Sequence, residues 1–378
     1  MQLESVAVYR LDMDLVHPFS TSFGTQHVRH ITILAAKDST GLVGYGECVS
    51  LEDPLYTEEF LDSSLLALKK YFIPFTLNAD IKHPDDVTKV LSVFKGNNMA
   101  KAGLEGAVWD LYAKQHGQPL YKMLGGIKTS VPVGVSLGLE DTDEAVVDNV
   151  SEKVAEGYKR IKVKIKPGRD IELLRRIRQT HPDIPLMADA NAAYTLDDIE
   201  VLKEIDQFNL MMIEQPLAVN DLLDHSKLQQ QMNTPICLDE SIDSFKAAQD
   251  AIELKSCEII NLKIGRVGGL SESLKIHALA EKAGIPMWCG GMLESGVGRL
   301  HNIAITTLGN FTLPGDTSSS NRYWHKDIIE PPVVAREGVV QVTDAPGIGA
   351  DIDWKALKEY LVDSFVIEKG QEPDMIFT

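Results

Sequence analysis

Five charged residues recur at nearly constant spacing in the middle of the chain. Lys164, Asp189, Glu214, Asp239 and Lys263 are separated by 25, 25, 25 and 24 residues. Each belongs to or follows a short apolar run: Ile161-Lys162-Val163-Lys164-Ile165, Leu186-Met187-Ala188-Asp189, Met211-Met212-Ile213-Glu214, Ile236-Cys237-Leu238-Asp239 and Ile259-Ile260-Asn261-Leu262-Lys263. Three carboxylates sharing one pocket repel one another and drive protonation unless a cation neutralises them. An all-oxygen set suits Mg²⁺, with Mn²⁺ as the alternative, better than zinc, which prefers His and Cys. No HExxH or CxxC pattern occurs. A desolvated lysine beside a dication has a lowered pKa and can act as a general base near neutral pH.

The spacing also describes the elements that position these residues. Each run is followed by a segment of helical periodicity, so the stretch reads as a strand–helix repeat. In a parallel barrel the carboxyl ends of the strands gather on one face, where active sites sit. Side chains two apart on a strand share a face, which groups Lys162 with Lys164, Asp189 with Asn191, and Asn261 with Lys263. Each residue has an ordinary alternative: a solvated strand edge for Lys-x-Lys, a helix N-cap for Asp, loop surface for Glu214. The common period argues against treating them singly.

The repeat begins at a strand over 131–138, where Ser136 points toward the mouth. A seventh strand covers 286–292 and enters Gly290-Gly291. These glycines allow close backbone approach to a ligand or a tight turn. A helix starts near Ser295, and a short eighth strand at 311–314 leads to Gly315-Asp316. The preceding part reads differently. Residues 2–12 and 31–37 alternate as strands, and Asp38-Ser39-Thr40-Gly41 turns the second into a third at 43–48. Residues 16–24 read as a mobile loop. Helices are expected at 57–72, 84–95 and 98–116. Strands followed by helices make an α+β pattern, so a boundary is placed near Gly126.

The 378 residues fit a barrel of roughly 200–250 residues plus a second unit. A net charge of −18 argues against nucleic acid and anionic membrane as partners. No apolar run approaches the roughly 20 residues of a membrane helix. Cys48, Cys237, Cys257 and Cys289 are scattered and read as reduced core thiols of a cytosolic protein. The segment Met1-Gln2-Leu3-Glu4-Ser5 lacks the pattern of a signal peptide, and a cytoplasmic location is expected. The histidines, His277 and His301 among them, are poor catalytic candidates. Arg266, three residues after Lys263, is a fixed cation that could meet a substrate carboxylate or tune the lysine, or else an exposed loop arginine.

The wording of these motifs resembles a known family. Lys162-Val163-Lys164, Asp189-Ala190-Asn191, Ile213-Glu214-Gln215-Pro216, Leu238-Asp239-Glu240-Ser241 and Asn261-Leu262-Lys263-Ile264-Gly265-Arg266-Val267-Gly268-Gly269 carry it, with Trp288-Cys289-Gly290-Gly291-Met292-Leu293-Glu294-Ser295-Gly296 and Leu313-Pro314-Gly315-Asp316. Together they resemble the enolase superfamily, in its lysine acid/base branch, and within it the o-succinylbenzoate synthase/N-succinylamino acid racemase family. The similarity runs nearly end to end.

The resemblance implies an α+β capping domain at 1–126 and a modified TIM barrel, (β/α)7β, at 127–324, with 325–378 packing back on the first domain. It implies Asp189, Glu214 and Asp239 as Mg²⁺ ligands and Lys164 and Lys263 as acid/base residues. Ser136, Lys162, Asn191, Arg266, Gly291, Met292, Leu293, Phe19 and Phe23 become the substrate-contacting candidates, with 16–24 closing over the substrate. The chemistry implied is proton abstraction alpha to a carboxylate. It leads to dehydration to o-succinylbenzoate in menaquinone synthesis, to racemisation of N-succinylamino acids, or to both. Dipeptide epimerase and muconate cycloisomerase are rival activities on this scaffold. A non-catalytic barrel would have lost one of the five residues. The expected partner is a small carboxylate, and a homo-oligomer is expected.

Overall fold

The structure, a computed structural model, describes residues 1–21 and 24–371. It opens with three antiparallel strands, β1 (Leu3–Thr21), β2 (Gly24–Asp38) and β3 (Val43–Cys48). The expected turn joins β2 to β3. Asp38 Oδ1 accepts from the Thr40 and Leu42 amides at 2.9 and 3.0 Å, and Gly41 takes a φ of +89° that glycine adopts without strain. Residues 16–24 depart from expectation. Residues 16–21 and 24 continue the strands, with Phe19 opposite Gln26 and Ser20 opposite Thr25. The register shifts between Asp14 and Phe19. In that bulge Val16 donates instead to the Tyr323 carbonyl at 2.9 Å, which ties β1 to the barrel side.

The helix Asn98–Gln115 lies against this sheet. Nearly all of it is buried because it is covered from both sides. Small residues make this possible. A Cβ at Gly46 would come within 2.1 Å of the Gly103 carbonyl, and one at Gly44 within 2.2 Å of the Ala107 carbonyl. Sheet and helix therefore meet backbone to backbone. The expected helix at 57–72 starts later, at Leu61, and continues to Asn78 with a π-helical turn over Leu68–Phe72.

The expected strand at 131–138 is split. Its first part, β4 (Ser130–Pro132), leaves the barrel to join a small antiparallel sheet, and β5 (Val135–Ser136) begins the parallel one. At Gly134, between them, a Cβ would strike the Arg160 guanidinium at 2.5 Å. Six parallel strands follow in chain order: β6 (Ile161–Lys164), β7 (Leu186–Asp189), β8 (Ile213–Glu214), β9 (Ile236–Leu238), β10 (Ile259–Leu262) and β11 (Met287–Cys289). The eighth place is filled by irregular chain. Asp316 donates to Cys289 O and Gly134 donates to Gly315 O, each at 2.8 Å, so 313–316 bridges β11 back to the start of β5. This is the (β/α)7β barrel.

Period two sorts the strand residues into an outside and an inside. Ala188, Ile213, Leu238, Ile260 and Cys289 face the surrounding helices, within the large core. Met187, Met212, Cys237, Ile259 and Trp288 form a separate apolar plug inside the barrel. Two residues further along, the same inward face carries Asp189, Glu214, Asp239 and Asn261. Beyond the barrel the chain returns through β12 (Ile329–Glu330), β13 (Ala335–Arg336), β14 (Val339–Gln341), β15 (Asp351–Ile352) and β16 (Leu361–Glu368). Of these, β16 pairs antiparallel with β1. All four cysteines are free and buried, as expected. Among the described residues, no helix is long and apolar enough to cross a membrane.

Candidate active site

The inward layer above the apolar plug is a lattice of paired charges. Asp189 and Glu214 are register partners on β7 and β8, and Glu214 pairs with Cys237 on β9, two residues before Asp239. Lys162 Nζ lies 2.9 Å from Glu214 Oε2 and 3.2 Å from Asp189 Oδ2, with the Trp288 ring 5.1 Å away. Lys164 Nζ reaches Asp189 Oδ2 at 2.7 Å and Asn191 Oδ1 at 2.6 Å. Across the mouth, Lys263 Nζ donates to Asp239 Oδ2 at 2.9 Å. Asn261 donates to Glu214 Oε1 at 2.8 Å. The structure thus brings together all five residues of the regular spacing. Lys164 stands at the second and Lys263 at the sixth of eight barrel positions, half a circumference apart.

The turns after these strands hold strained backbone. Asn191 and Ala192 after β7, Gln215 after β8 and Leu293 after β11 all have positive φ, between +39° and +61°. Such residues cost about 1–3 kcal/mol each and persist where the surroundings over-determine them. Gln215 shows how. Its side chain donates to Ser241 Oγ at 2.7 Å and accepts from the amides of Asp239 and Ser241 at 3.1 and 3.2 Å, which locks the β8 turn to the β9 turn.

The electrostatics follow from burial and from these pairs. Burial, together with the neighbouring Asp189 anion, pushes the Glu214 carboxyl up to about 8 despite Lys162. Burial also works against the charged forms of Asp189 and Asp239. Lys164 and Lys162 outweigh it at Asp189, and Arg266 and Lys263 at Asp239, so both carboxyls sit below the ordinary range. At Lys263 burial favours the neutral amine, but the facing Asp239 and then Tyr56 raise the ammonium above its usual value. The direct contact with Asp239 sets this direction.

These facts also test whether a divalent cation fits. Among the described residues, no three His, Cys, Asp or Glu side chains are drawn together as closely as a bound metal draws its ligands. The reason is visible, since lysines stand between the carboxylates. The donor set is nonetheless three buried carboxylates from adjacent strands, all hard oxygens, and Glu214 is held poorly as an anion. The residues present therefore fit Mg²⁺.

A cavity of about 430 Å³ opens above this layer. Of the residues expected to touch substrate, Phe19, Ser136, Lys162, Asn191, Gly291, Met292 and Leu293 line it, as do Lys164, Asp189, Asp239 and Lys263. Glu214 is fully buried and does not form part of the wall. Phe23 lies outside the described residues. Arg266 is neither exposed nor in the cavity wall, and its positive charge works against that of the neighbouring Lys263. Its guanidinium is consumed by Asp239, by the Tyr56 hydroxyl at 2.9 Å, and by the carbonyls of Ile242 and Asn261 at 2.8 Å each. It stands behind Asp239.

Sequence reasoning assigned no role to three residues that belong here. Tyr56, from the segment after β3, reaches Lys263 at 3.0 Å. Asp316 accepts from Arg160 at 2.5 Å and from Ser136 at 3.0 Å, beneath the closing strand. Glu240 accepts from Asn191 at 3.1 Å, and burial with the adjacent Asp239 raises it to about 7. Position beside a strand-end acid marks Glu240. Nothing in the sequence near Tyr56 marks that residue.

Comparison with known proteins agrees with this architecture. Residues 5–125 match the family described as mandelate racemase/muconate lactonizing enzyme, N-terminal domain, and residues 145–356 match the enolase C-terminal domain-like family. An o-succinylbenzoate synthase from Geobacillus stearothermophilus is 51% identical over 360 residues, covering 95% of this chain and 96% of that protein. An N-succinylamino acid racemase from Thermus thermophilus is 47% identical over 352 residues, covering 93% and 95%. The crystal structure of an enolase superfamily member from Listeria innocua superposes with a TM-score of 0.95 at 42% identity, covering 97% of this chain and 99% of that one. The chain belongs to the enolase superfamily, and within it to the o-succinylbenzoate synthase/N-succinylamino acid racemase family.

Proposed function

We propose that this protein abstracts a proton alpha to a substrate carboxylate with the help of Mg²⁺. As o-succinylbenzoate synthase it dehydrates 2-succinyl-6-hydroxy-2,4-cyclohexadiene-1-carboxylate in menaquinone biosynthesis, and it racemises N-succinylamino acids at the same site. The observation that carries the reading is the placement of Lys164 and Lys263 on opposite sides of the barrel mouth, with three carboxylates between them.

Asp189, Glu214 and Asp239 would hold the metal. When bound, Mg²⁺ supplies electrostatic stabilisation to the negative charge that develops on the substrate carboxylate. The protein's own residues do the rest. Lys162, buried over Trp288, adds a fixed positive charge below the cavity. A lysine on one face removes the alpha proton. In racemisation the lysine on the other face returns one. In dehydration the lysine that took the proton passes it to the departing hydroxyl, and the opposite lysine stays cationic. The rise at Lys263 comes from Asp239 working against burial. Uptake of that carboxylate's charge elsewhere lowers the ammonium toward the range of a base. Arg266 and Tyr56 position Asp239 and Lys263, and Met292 and Leu293 form apolar wall.

A dedicated racemase is the second reading. It is favoured by the pair of opposed lysines, since dehydration needs only one of them as a base. The remaining features of the proposal are a small carboxylate partner with neither nucleic acid nor membrane, a cytoplasmic homo-oligomer, and domain limits near 126 and 324. The test is NMR in D₂O with Mg²⁺ and N-succinyl-phenylalanine, beside an ultraviolet assay of o-succinylbenzoate formation. Dehydration with alpha-proton exchange supports the bifunctional site, and exchange alone makes it a racemase. Neither activity, with Mg²⁺ bound, defeats the proposal.

A further inference from the structure

A histidine outside the lysine–carboxylate layer makes contacts that the proposed chemistry does not use. His30 lies on β2 directly opposite Asp12 on β1, so their side chains share one face of the hairpin. Its Nδ1 is 2.6 Å from Asp12 Oδ1, and its Nε2 is 2.9 Å from Glu52 Oε2. An ionised carboxylate only accepts hydrogen bonds. Both contacts are therefore satisfied together only by a ring carrying a proton on each nitrogen. The His30 side chain is 17% exposed, partly withdrawn from water, while Glu52 is 59% exposed.

Glu52 belongs to the segment 51–56, which crosses from β3 toward the helix starting at Leu61. Leu51, Glu52, Asp53, Leu55 and Tyr56 all line the substrate cavity. Most of this segment is exposed, including Leu55 at 55%, so little apolar burial holds it down. Just beyond it, Glu59 accepts from the Met99 and Ala100 amides at 2.7 and 2.8 Å. Its far end is anchored by Tyr56 on Lys263 and Arg266. Its near end meets the hairpin through Glu52 and His30.

We propose that His30, held between Asp12 and Glu52, is a positioning residue that fastens the segment 51–56 to the β1–β2 hairpin along the edge of the cavity. It thereby sets how tightly the cavity closes on its carboxylate substrate. The charged groups that face it are Asp12 from β1 and Glu52 from the segment. Arg10 and Asp14 flank Asp12 two positions away on β1, and His27 and Asp53 line the same cavity wall as His30. The fastening needs the second ring proton. Glu52→Gln removes that need, because an amide can donate to a neutral ring as well as accept from a charged one.

The assignment of substrate class rests on the proposed function, but the fastening can be read without substrate. Hydrogen–deuterium exchange on the whole, ligand-free protein should show faster exchange over 51–56 in His30→Ala and in Glu52→Ala. Exchange over Asn98–Gln115 should be unchanged. In kinetics with N-succinyl-phenylalanine, each variant should raise KM by about threefold to tenfold, the scale of one ordinary hydrogen bond, with a smaller fall in kcat. The double variant should be no worse than either single one, as expected for two residues that act through one contact. Glu52→Gln should leave exchange over 51–56 close to that of the unaltered protein. Unchanged exchange over 51–56 in both single variants overturns the fastening, whatever the substrate proves to be. Additive KM effects, with exchange altered, overturn the pairing of His30 with Glu52.

Discussion

Gly290 offers a sharp test of how closely Lys263 must be held. The backbone there lies outside the left-handed region, so alanine is conformationally allowed. The obstacle is space. A Cβ at Gly290 would sit 2.4 Å from Asn261 Oδ1 and 2.8 Å from Lys263 Cε. To reach ordinary contact, the Asn261 side chain must move by about 1 Å and the Lys263 side chain by about 0.6 Å. Neither can retreat freely, because Asn261 is bonded to Glu214 and Lys263 to Asp239 and Tyr56. Forcing a methyl into such a site costs about 1–3 kcal/mol of stability. A misplacement near 1 Å at the reacting group costs about 100-fold in rate. Gly290→Ala should therefore lower kcat for alpha-proton exchange by one to two orders of magnitude in a protein that still folds. Gly291→Ala is the control for stability, since its Cβ meets nothing nearer than 3.3 Å. Thermal unfolding and D₂O exchange on both variants decide the matter. Native kcat in a folded Gly290→Ala protein would refute the claim that this contact fixes the lysine.

Lys164→Ala and Lys263→Ala should each abolish racemisation and leave the fold intact, since Asp189 keeps Lys162 and Asp239 keeps Arg266 as partners; circular dichroism and polarimetry read the two effects. Asp239→Asn should weaken Mg²⁺ binding in calorimetric titration. It should also destabilise the protein by about 3 kcal/mol, because the buried Arg266 loses its counter-ion. Chelation with EDTA should stop alpha-proton exchange, and added Mg²⁺ should restore it. Glu105, wholly buried against the amides of Leu270 and Ser271, is raised by burial from 4.5 to about 7. A carboxyl raised on folding contributes stability that is complete below about 4.5 and is lost as pH climbs through about 7. The difference in stability between the native protein and Glu105→Gln should therefore shrink by up to ~3 kcal/mol over that interval, as measured by urea unfolding at each pH.

What could be read from the sequence was whatever repeats along it. The 25-residue period survives because each unit contributes one inward strand end. Asp189, Glu214 and Asp239 therefore announced themselves without reference to their neighbours in space. The same logic placed the helix that Ser295 caps, where Ser295 Oγ accepts from the Val297 amide at 3.3 Å. The failures involve pairing partners far away in sequence. Residues 16–24 have loop composition, yet cross-strand pairing with 24–28 and the contact from Val16 to Tyr323 hold the described part extended. Arg266 looked available because three residues beyond a strand end is usually exposed. The Ile242 carbonyl and the Asp239 carboxylate that hold it come from the turn after β9. Tyr56 enters the site on a side chain from the capping part, and no periodicity carries that information.

The pairing of β16 with β1 has a consequence for how the chain is made. Ser5 stands opposite Glu368 and Ala7 opposite Val366, so this edge of the first sheet is completed by residues synthesised more than three hundred positions later. While the ribosome is still building the barrel, β1 has β2 on one side and an open row of amides and carbonyls on the other. Open edges are where nascent chains associate wrongly, and closing so long a loop is slow. The maturation of the hairpin that lines the cavity is thus coupled to the arrival of a strand that contributes nothing to its wall. Charge changes in β16, at Asp363 for instance, should show first as lower yield from the cell and only afterwards as altered kinetics.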